Sequence, residues 1–261
     1  MSIDPIALAI GSLSVRWLTV FWLVGGCVAA GWWCSAARRQ GIDRESLVYV
    51  LSWVVPAALV GARVFHLLSS PEHYLLQPAD ALSTRGSLAL WGAIAGGSLA
   101  GLYALRARRL SVGRLLDLAA PGLALGEAVG RIGCLIDGSN LGPPTMLPWA
   151  VLYTHPLAQP PDFVMPRHPT PAYHALAALS TFVLLALVRR HAFGPGAIFA
   201  LWLVLHACTR FALGFVRVEP ILVLGLQISQ LWALVALALL GFGIIRRRQV
   251  ASRAARASRA E

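Results

Sequence analysis

Seven apolar runs set the terms on which this chain folds. They lie at about 17–36, 46–68, 88–105, 115–136, 172–188, 196–215 and 222–245. A helix needs roughly 17–25 apolar residues to cross ~30 Å of hydrocarbon, and each run reaches that length. Of the 261 residues, 57% are hydrophobic and 13% are charged, too little polar surface for a water-soluble domain of this size. The runs predict an all-α, polytopic membrane protein, a single transmembrane domain over 1–261 with seven transmembrane helices. The first run has only Arg16 as a basic residue before it and no small-residue cleavage site after it, so it reads as a retained helix and not as a signal peptide.

The arginines orient such a bundle. All 22 basic residues are arginine. Fifteen follow the first, third, fifth and seventh runs, among them Arg38, Arg39, Arg108, Arg109, Arg189 and Arg246, against four on the other side, Arg16, Arg85, Arg167 and Arg217. By the positive-inside rule the N-terminus is outside and the C-terminus cytoplasmic. The net charge of +11 is then mostly topogenic, and the basic tail over 246–261 suits anionic lipid headgroups. Nucleic-acid binding is excluded, because no aromatic-interleaved soluble domain accompanies the arginines. Cys27, Cys34, Cys134 and Cys208 fall in or at the ends of the runs without CxxC spacing, which indicates neither a zinc site nor a disulfide framework.

The longest gap, 137–171, holds nine of the 16 prolines. Trp149, Val151 and Tyr153 within it argue for order, so an outer-face cap loop is expected there. A second outer segment, Ser69 to Gly86, carries Glu72, His73, Tyr74 and Asp80 and reads as a short interfacial arm. Glycines four apart, Gly92/Gly96, Gly97/Gly101 and Gly126/Gly130, suit close helix packing in lipid. The same gaps also make room for a lipid headgroup or acyl chain.

Three arginines stand inside apolar runs: Arg63, Arg131 and Arg210. Each costs at least ~2.5–3.5 kcal/mol at a helix centre, which marks it as a functional candidate. Glu127 precedes Arg131 by four residues, the better orientation for a helical ion pair. Arg63 and His66 share a face three apart, and His206 sits four before Arg210. Arg131 and Arg210 both lie toward the outer ends of their runs. Together they describe an outward-opening, positively charged pocket in a hydrophobic bundle. A guanidinium fork suits a phosphate diester and apolar walls suit acyl chains, so the ligand expected is an anionic phospholipid. A histidine beside arginine tends to be neutral and able to take a proton.

The stretch GRIGCLIDGSNLG, residues 130–142, resembles the signature of the bacterial prolipoprotein diacylglyceryl transferases. That signature has a Gly-Arg-aliphatic-Gly motif (Gly130, Arg131, Ile132, Gly133), an Asx-Gly step (Asp137, Gly138) and a further glycine (Gly142). RHPTPAYHA, from Arg167 to Ala175, is similar to the family's Arg-His-Pro-Ser/Thr segment, with Tyr173 in place. TRFALGFVR resembles the helix-6 motif through Arg210 and Arg217, GARVF the helix-2 motif through Arg63, and Gln227 falls where the last helix carries a glutamine. The resemblance implies transfer of the diacylglyceryl group of phosphatidylglycerol to the lipobox cysteine thiol of a prolipoprotein signal peptide. Glycerol phosphate leaves and a thioether forms, with no cofactor and no metal. It implies Arg131, Gly133, Gly142 and Arg63 as phospholipid-binding residues, Arg210 as the group that neutralises the departing phosphate, and Tyr173 and His66 as further catalytic candidates. The location implied is the bacterial plasma (inner) membrane, multi-pass.

The chain also departs from that pattern. Trp91-Gly92-Ala93-Ile94 stands where the family has His-Gly-Gly-Leu. Cys134 replaces an asparagine, Ser139 an acidic residue, Gly214 a glutamate, Leu18 a tyrosine and His174 a glutamate. Phosphate-binding arginines remain while much of the proton-handling set is exchanged, the mark of a divergent paralogue. Either His66, His206, His174 or Tyr173 then supplies a base from another direction, or the thiol transfer has been altered or lost. Glu127 is in the right region to stand in for a missing carboxylate, though its pairing with Arg131 makes it a poor base. Two alternatives stand beside the transferase: an enzyme using the same anionic donor on a hydroxyl or amine, and a non-catalytic lipid-binding membrane protein. A transporter is disfavoured because the seven runs show no internal repeat.

Overall fold

The structure is a computed structural model that describes residues 3–10, 13–69, 71, 74, 77, 90–158, 165–189, 191, 193–217, 221–223, 226–227, 229–231, 233–238 and 241. Six long helices lie on the first six apolar runs: α1 Trp17–Arg39, α2 Arg44–Ser69, α3 Leu90–Ala107, α4 Val112–Asp137, α5 Thr170–Val188 and α6 Ala197–Gly214. A shorter helix, α7, covers Ser229–Ala238. Five of these, α1, α2, α4, α5 and α6, are long and apolar enough to cross a membrane. Leu23, Val60, Leu99 and Leu176 are exposed, as befits helices whose outer faces meet lipid. The protein is a helical membrane protein.

Two short antiparallel hairpins qualify the all-α expectation. β1 (Ile6–Ile10) pairs with β2 (Leu13–Arg16), with Leu8 opposite Val15 and Ile10 opposite Leu13. β3 (Ile221–Val223) pairs with β4 (Leu226–Gln227). The second hairpin corrects the seventh run, expected as one helix from 222. Pro220 and the β-branched Ile221 and Val223 favour extended backbone, and Gly225 punctuates the run; the helix begins only at Ser229. Gln227 is therefore a strand residue.

The chain forms two compact units: Met1–Trp33 with Leu116–Glu261, and Cys34–Leu115. In the second, α2 and α3 pack through glycines. A side chain on Gly61 would fall on the carbonyl of Gly92, and one on Gly96 on that of Ala57. Asp43 caps α2, its carboxylate accepting the Ser46 N–H at 2.7 Å, the N-cap to N3 bond that Asp makes well. The Ser46 backbone N–H and hydroxyl hold the Asp43 carboxyl below its usual value.

In the first unit, α4 carries two faces. At 3.6 residues per turn, Gly122, Gly126, Gly130 and Gly133 form one stripe, while Ala120, Ala124, Glu127, Arg131 and Cys134 form another roughly 100° away. The glycine stripe receives α1: a Cβ on Gly130 would come 2.8 Å from the Trp22 ring, and one on Gly126 would come 2.5 Å from the Gly25 carbonyl. The other stripe turns to α5 and α6, where Ala120, Leu185 and Ile198 are buried with Phe199, Trp202 and Leu205 against them. Asp117 of α4 accepts the Gly196 and Phe199 N–H groups at 2.7 and 2.8 Å, satisfying donors at the α6 N-terminus.

α4 ends in a Schellman-type turn. Ser139 N–H donates to Cys134 O at 3.1 Å, and Gly138 adopts φ 76°, a left-handed conformation that glycine takes without cost. Beyond it the described part of the 137–171 segment, hereafter the cap, is tied together by backbone bonds. Gly142 N–H donates to His168 O at 3.0 Å, and Val151 and Arg167 exchange both backbone bonds at 3.0 Å. Residues 159–164, most of the expected arm between Ser69 and Gly86, and the basic tail lie outside the described residues.

Candidate functional site

The polar stripe of α4 builds the site. Arg131 is 4% exposed, and one terminal nitrogen lies 3.2 Å from Glu127 Oε1, one turn back on the helix. The second Glu127 oxygen, Oε2, lies 3.0 Å from His206 Nδ1 on α6. One carboxylate thus bridges a guanidinium and an imidazole across two helices. Arg131 Nε is buried and finds no acceptor among the described residues, a donor that costs ~1–3 kcal/mol when left unmade.

A small pocket opens between α4, α5 and α6, lined by Glu127, His174, Thr181, Trp202, His206 and Thr209. His174, on the first turns of α5, is 4% exposed and lies within electrostatic reach of Arg131, Arg210, Glu127 and Arg217. Arginines from α4, α6 and the segment after α6 are thus near enough to act on the charge of one buried position. Charge inside an apolar bundle is stable only with counter-charge, which Glu127 supplies to Arg131.

The cap closes over the α4 and α5 ends through polar contacts. Thr170 Oγ1 donates to Asn140 O, and an Arg217 terminal nitrogen donates to Asn140 Oδ1. Gln227 Nε2 donates to Arg217 O at 2.7 Å. Asn140 itself adopts φ 60°, a conformation that asparagine tolerates better than most residues. Tyr173 O–H sits between two cap side chains: Trp149 Nε1 donates to it at 2.8 Å, and His168 Nδ1 lies 3.3 Å away. Asp137 pairs with Arg16 Nε at 2.6 Å, and the same arginine reaches Leu157 O at 2.8 Å. Tyr153 donates to Leu135 O. Burial, and then the Asp137 charge, push the Tyr153 phenol above its ordinary value, so it stays a neutral donor.

Of the site residues expected from sequence, Arg131 and Arg210 lie within electrostatic reach of His174, and Tyr173 bonds Trp149 and His168 in the cap network. Gly133 faces α1, where a Cβ would lie 2.7 Å from Phe21 Cβ and 3.1 Å from Leu18 Cα. Gly142 lies under the cap, where a Cβ would lie 2.7 Å from His168 Cβ and 3.0 Å from Thr170 Cγ2. Both spacings serve close approach of protein to protein. Arg63 and His66 belong to the second unit, where the Arg63 guanidinium lies 5.9 Å from the Tyr74 ring and His66 meets the same ring edge-on. Trp91, also in that unit, is half exposed.

Sequence reasoning missed the roles of Asn140, Asp117 and Gln230. Gln230 is 1% exposed; its Nε2 donates to Phe211 O at 3.1 Å and its Oε1 accepts Gln227 N–H at 2.9 Å. A Cβ on Gly214 would come within 2.6 Å of Gln230 Cγ. The position where a glutamate was expected is thus a glycine that leaves room for a buried amide from α7. No local pattern announces such an exchange between distant elements.

Comparison with known proteins bears on the same region. The family model for prolipoprotein diacylglyceryl transferase matches residues 5–246. A phosphatidylglycerol–prolipoprotein diacylglyceryl transferase of Dehalococcoides mccartyi is 32% identical over 251 residues, 95% of this chain and 96% of that protein. Proteins of the same name from Frankia alni and Pseudomonas putida are 34% and 32% identical over 84% and 83% of this chain, and over 60% and 81% of their own lengths. The matched region takes in α4 with Arg131, the cap and α6 with Arg210, so the arginine cluster lies inside the shared sequence. The chain belongs to the prolipoprotein diacylglyceryl transferase family.

Proposed function

We propose that this protein transfers the diacylglyceryl group of phosphatidylglycerol to the lipobox cysteine of prolipoprotein signal peptides, in the plasma (inner) membrane of a bacterium. The observation that carries the reading is Arg131: buried on a membrane helix, pinned by Glu127, and holding an Nε–H without an acceptor among the described residues. A phosphodiester oxygen is the acceptor that suits it, since a guanidinium binds such oxygens in a fixed fork.

Transfer requires the acceptor sulfur to attack the glycerol carbon that carries the phosphate ester. A C–S bond forms, the C–O bond breaks, and its electron pair leaves on glycerol phosphate. Charge on that phosphate grows through the step. Arg131 and Arg210, both within reach of His174, stabilise it where water is excluded; one such donor is worth on the order of 10²–10³ in rate. Tyr173, held by Trp149 and His168, is a cap-side hydroxyl suited to orient the donor or acceptor.

The seven apolar runs make seven crossings in this reading, with α3 and the region of α7 added to the five long spans. The fifteen-to-four arginine asymmetry places the N-terminus outside and the C-terminus in the cytoplasm. The cap then faces the side on which signal peptides emerge.

The test is turnover by the purified protein with phosphatidylglycerol and a lipobox peptide. Wild type forms the thioether peptide, and Arg131→Ala falls to background while its thermal unfolding stays cooperative. Arg131→Lys fails to recover full activity, since a point charge does not replace the fork. Wild type without product, in the presence of demonstrated phosphatidylglycerol binding, refutes the reading.

A further inference from the structure

We infer that Glu127 and His206 form a carboxylate–imidazole dyad that accepts the proton of the acceptor thiol; the inference rests on the transferase reading. A thiol is a poor nucleophile until it loses its proton, so the reaction needs a proton acceptor beside the donor phosphate. The structure offers one. Glu127 Oε2 lies 3.0 Å from His206 Nδ1 while Oε1 lies 3.2 Å from Arg131. An ionised carboxylate only accepts hydrogen bonds, so Nδ1 carries the imidazole proton and Nε2 keeps its lone pair. Trp202 stacks on the imidazole with ring centroids 5.4 Å apart and planes 28° from parallel, which fixes the ring's plane. This is the division of labour seen wherever a carboxylate fixes the tautomer of a basic histidine.

Accessibility separates the three members. The side chains of Arg131 and Glu127 are 5% and 15% exposed, that of His206 31%. The imidazole is therefore the member that a second substrate meets, and it lines the same pocket as His174, Thr181 and Thr209. Among the described residues, Glu127 from α4 pairs with His206 and His174 from α5 lines the same pocket, with Arg210 one turn along on α6. The arrangement couples the two halves of the step. Arg131 holds the donor phosphate, Glu127 ties Arg131 to His206, and His206 stands where the thiol approaches. The S–H proton passes to Nε2, the sulfur attacks carbon, and the C–O pair departs on phosphate. Glu127 stabilises the imidazolium, which then yields its proton to the leaving glycerol phosphate or to water. His206 is the catalytic base and Glu127 its positioning residue.

The experiment compares wild type, His206→Gln and Glu127→Gln on a lipobox peptide with cysteine and on the same peptide with selenocysteine, whose selenol is already ionised near neutral pH. With the cysteine peptide, His206→Gln lowers kcat on the order of 10²–10⁴-fold, the range of general-base catalysis, with KM for phosphatidylglycerol within threefold of wild type. With the selenocysteine peptide most of that loss disappears. Glu127→Gln lowers kcat less and alters the acidic limb of the pH profile, which His206→Gln removes. Equal losses on both peptides, or a His206→Gln enzyme within threefold of wild type on cysteine, overturn the dyad while leaving the transferase reading standing. A wild type that turns over neither peptide overturns the transferase reading and the dyad with it.

Discussion

Arg131 shows how far a single residue can be read. Its misplaced charge was evident from sequence, and so was its partner Glu127 four residues before it. Glu127's other partner, His206, lies 79 positions further along the chain and has no local signature. Cys134 is similar. Where the resemblance implies asparagine, Asn140 Nδ2 reaches Cys134 Sγ at 3.9 Å, so an amide from the turn beyond the helix lies in the region. The cap residue Asp43 gives a test with a defined sign. Its folded-state carboxyl is held below its unfolded value, so its stabilisation is present above the unfolded value and is lost as pH falls through the folded one. Thermal unfolding of Asp43→Ala against wild type is expected to show a lower midpoint for the variant at neutral pH. The two curves converge in acid.

At the scale of elements, α4 decides the architecture. Its glycine spacing was legible as a packing signal, but sequence left open whether the gaps admit lipid or a neighbouring helix. The structure fills those on Gly126, Gly130 and Gly133 with α1. Two neighbouring glycines on α1 separate the effects. A Cβ on Gly25 would fall on the Gly126 carbonyl, whereas one on Gly26 meets nothing within 4 Å. Gly25→Ala is expected to destabilise by ~1–3 kcal/mol through overpacking, and Gly26→Ala to leave stability unchanged or raise it by up to ~1 kcal/mol through helix propensity; detergent unfolding measures both. The cap has its own tether in Thr170, 0% exposed, which donates to the Asn140 carbonyl. Thr170→Val leaves that carbonyl unpaired, at ~1–3 kcal/mol, and faster proteolysis within 143–158 is the expected readout. The last apolar run was the element read least well. Hydropathy alone cannot tell an apolar hairpin from a helix start, and β3–β4 occupies about the first quarter of that run.

For the whole molecule, hydropathy gave the helical membrane architecture almost directly, because only closed hydrogen bonding survives in hydrocarbon and a helix closes its bonds within one segment. The site was legible as arginines and illegible as a network. The Arg131–Glu127–His206 network depends on how α4 and α6 pack, which no window of sequence contains. Topology has its own check: single-cysteine labelling with an impermeant reagent is expected to reach the N-terminus from outside and the basic tail only after the membrane is opened. The central claim is chemical, and the mass of the acceptor peptide tests it most directly. After incubation with phosphatidylglycerol and the purified protein, a lipobox peptide is expected to gain the mass of one diacylglyceryl group. Fragmentation should place it on the cysteine sulfur, with Arg131→Ala giving only unmodified peptide. An unmodified peptide from wild type, or the same adduct from Arg131→Ala at an undiminished rate, would contradict the account.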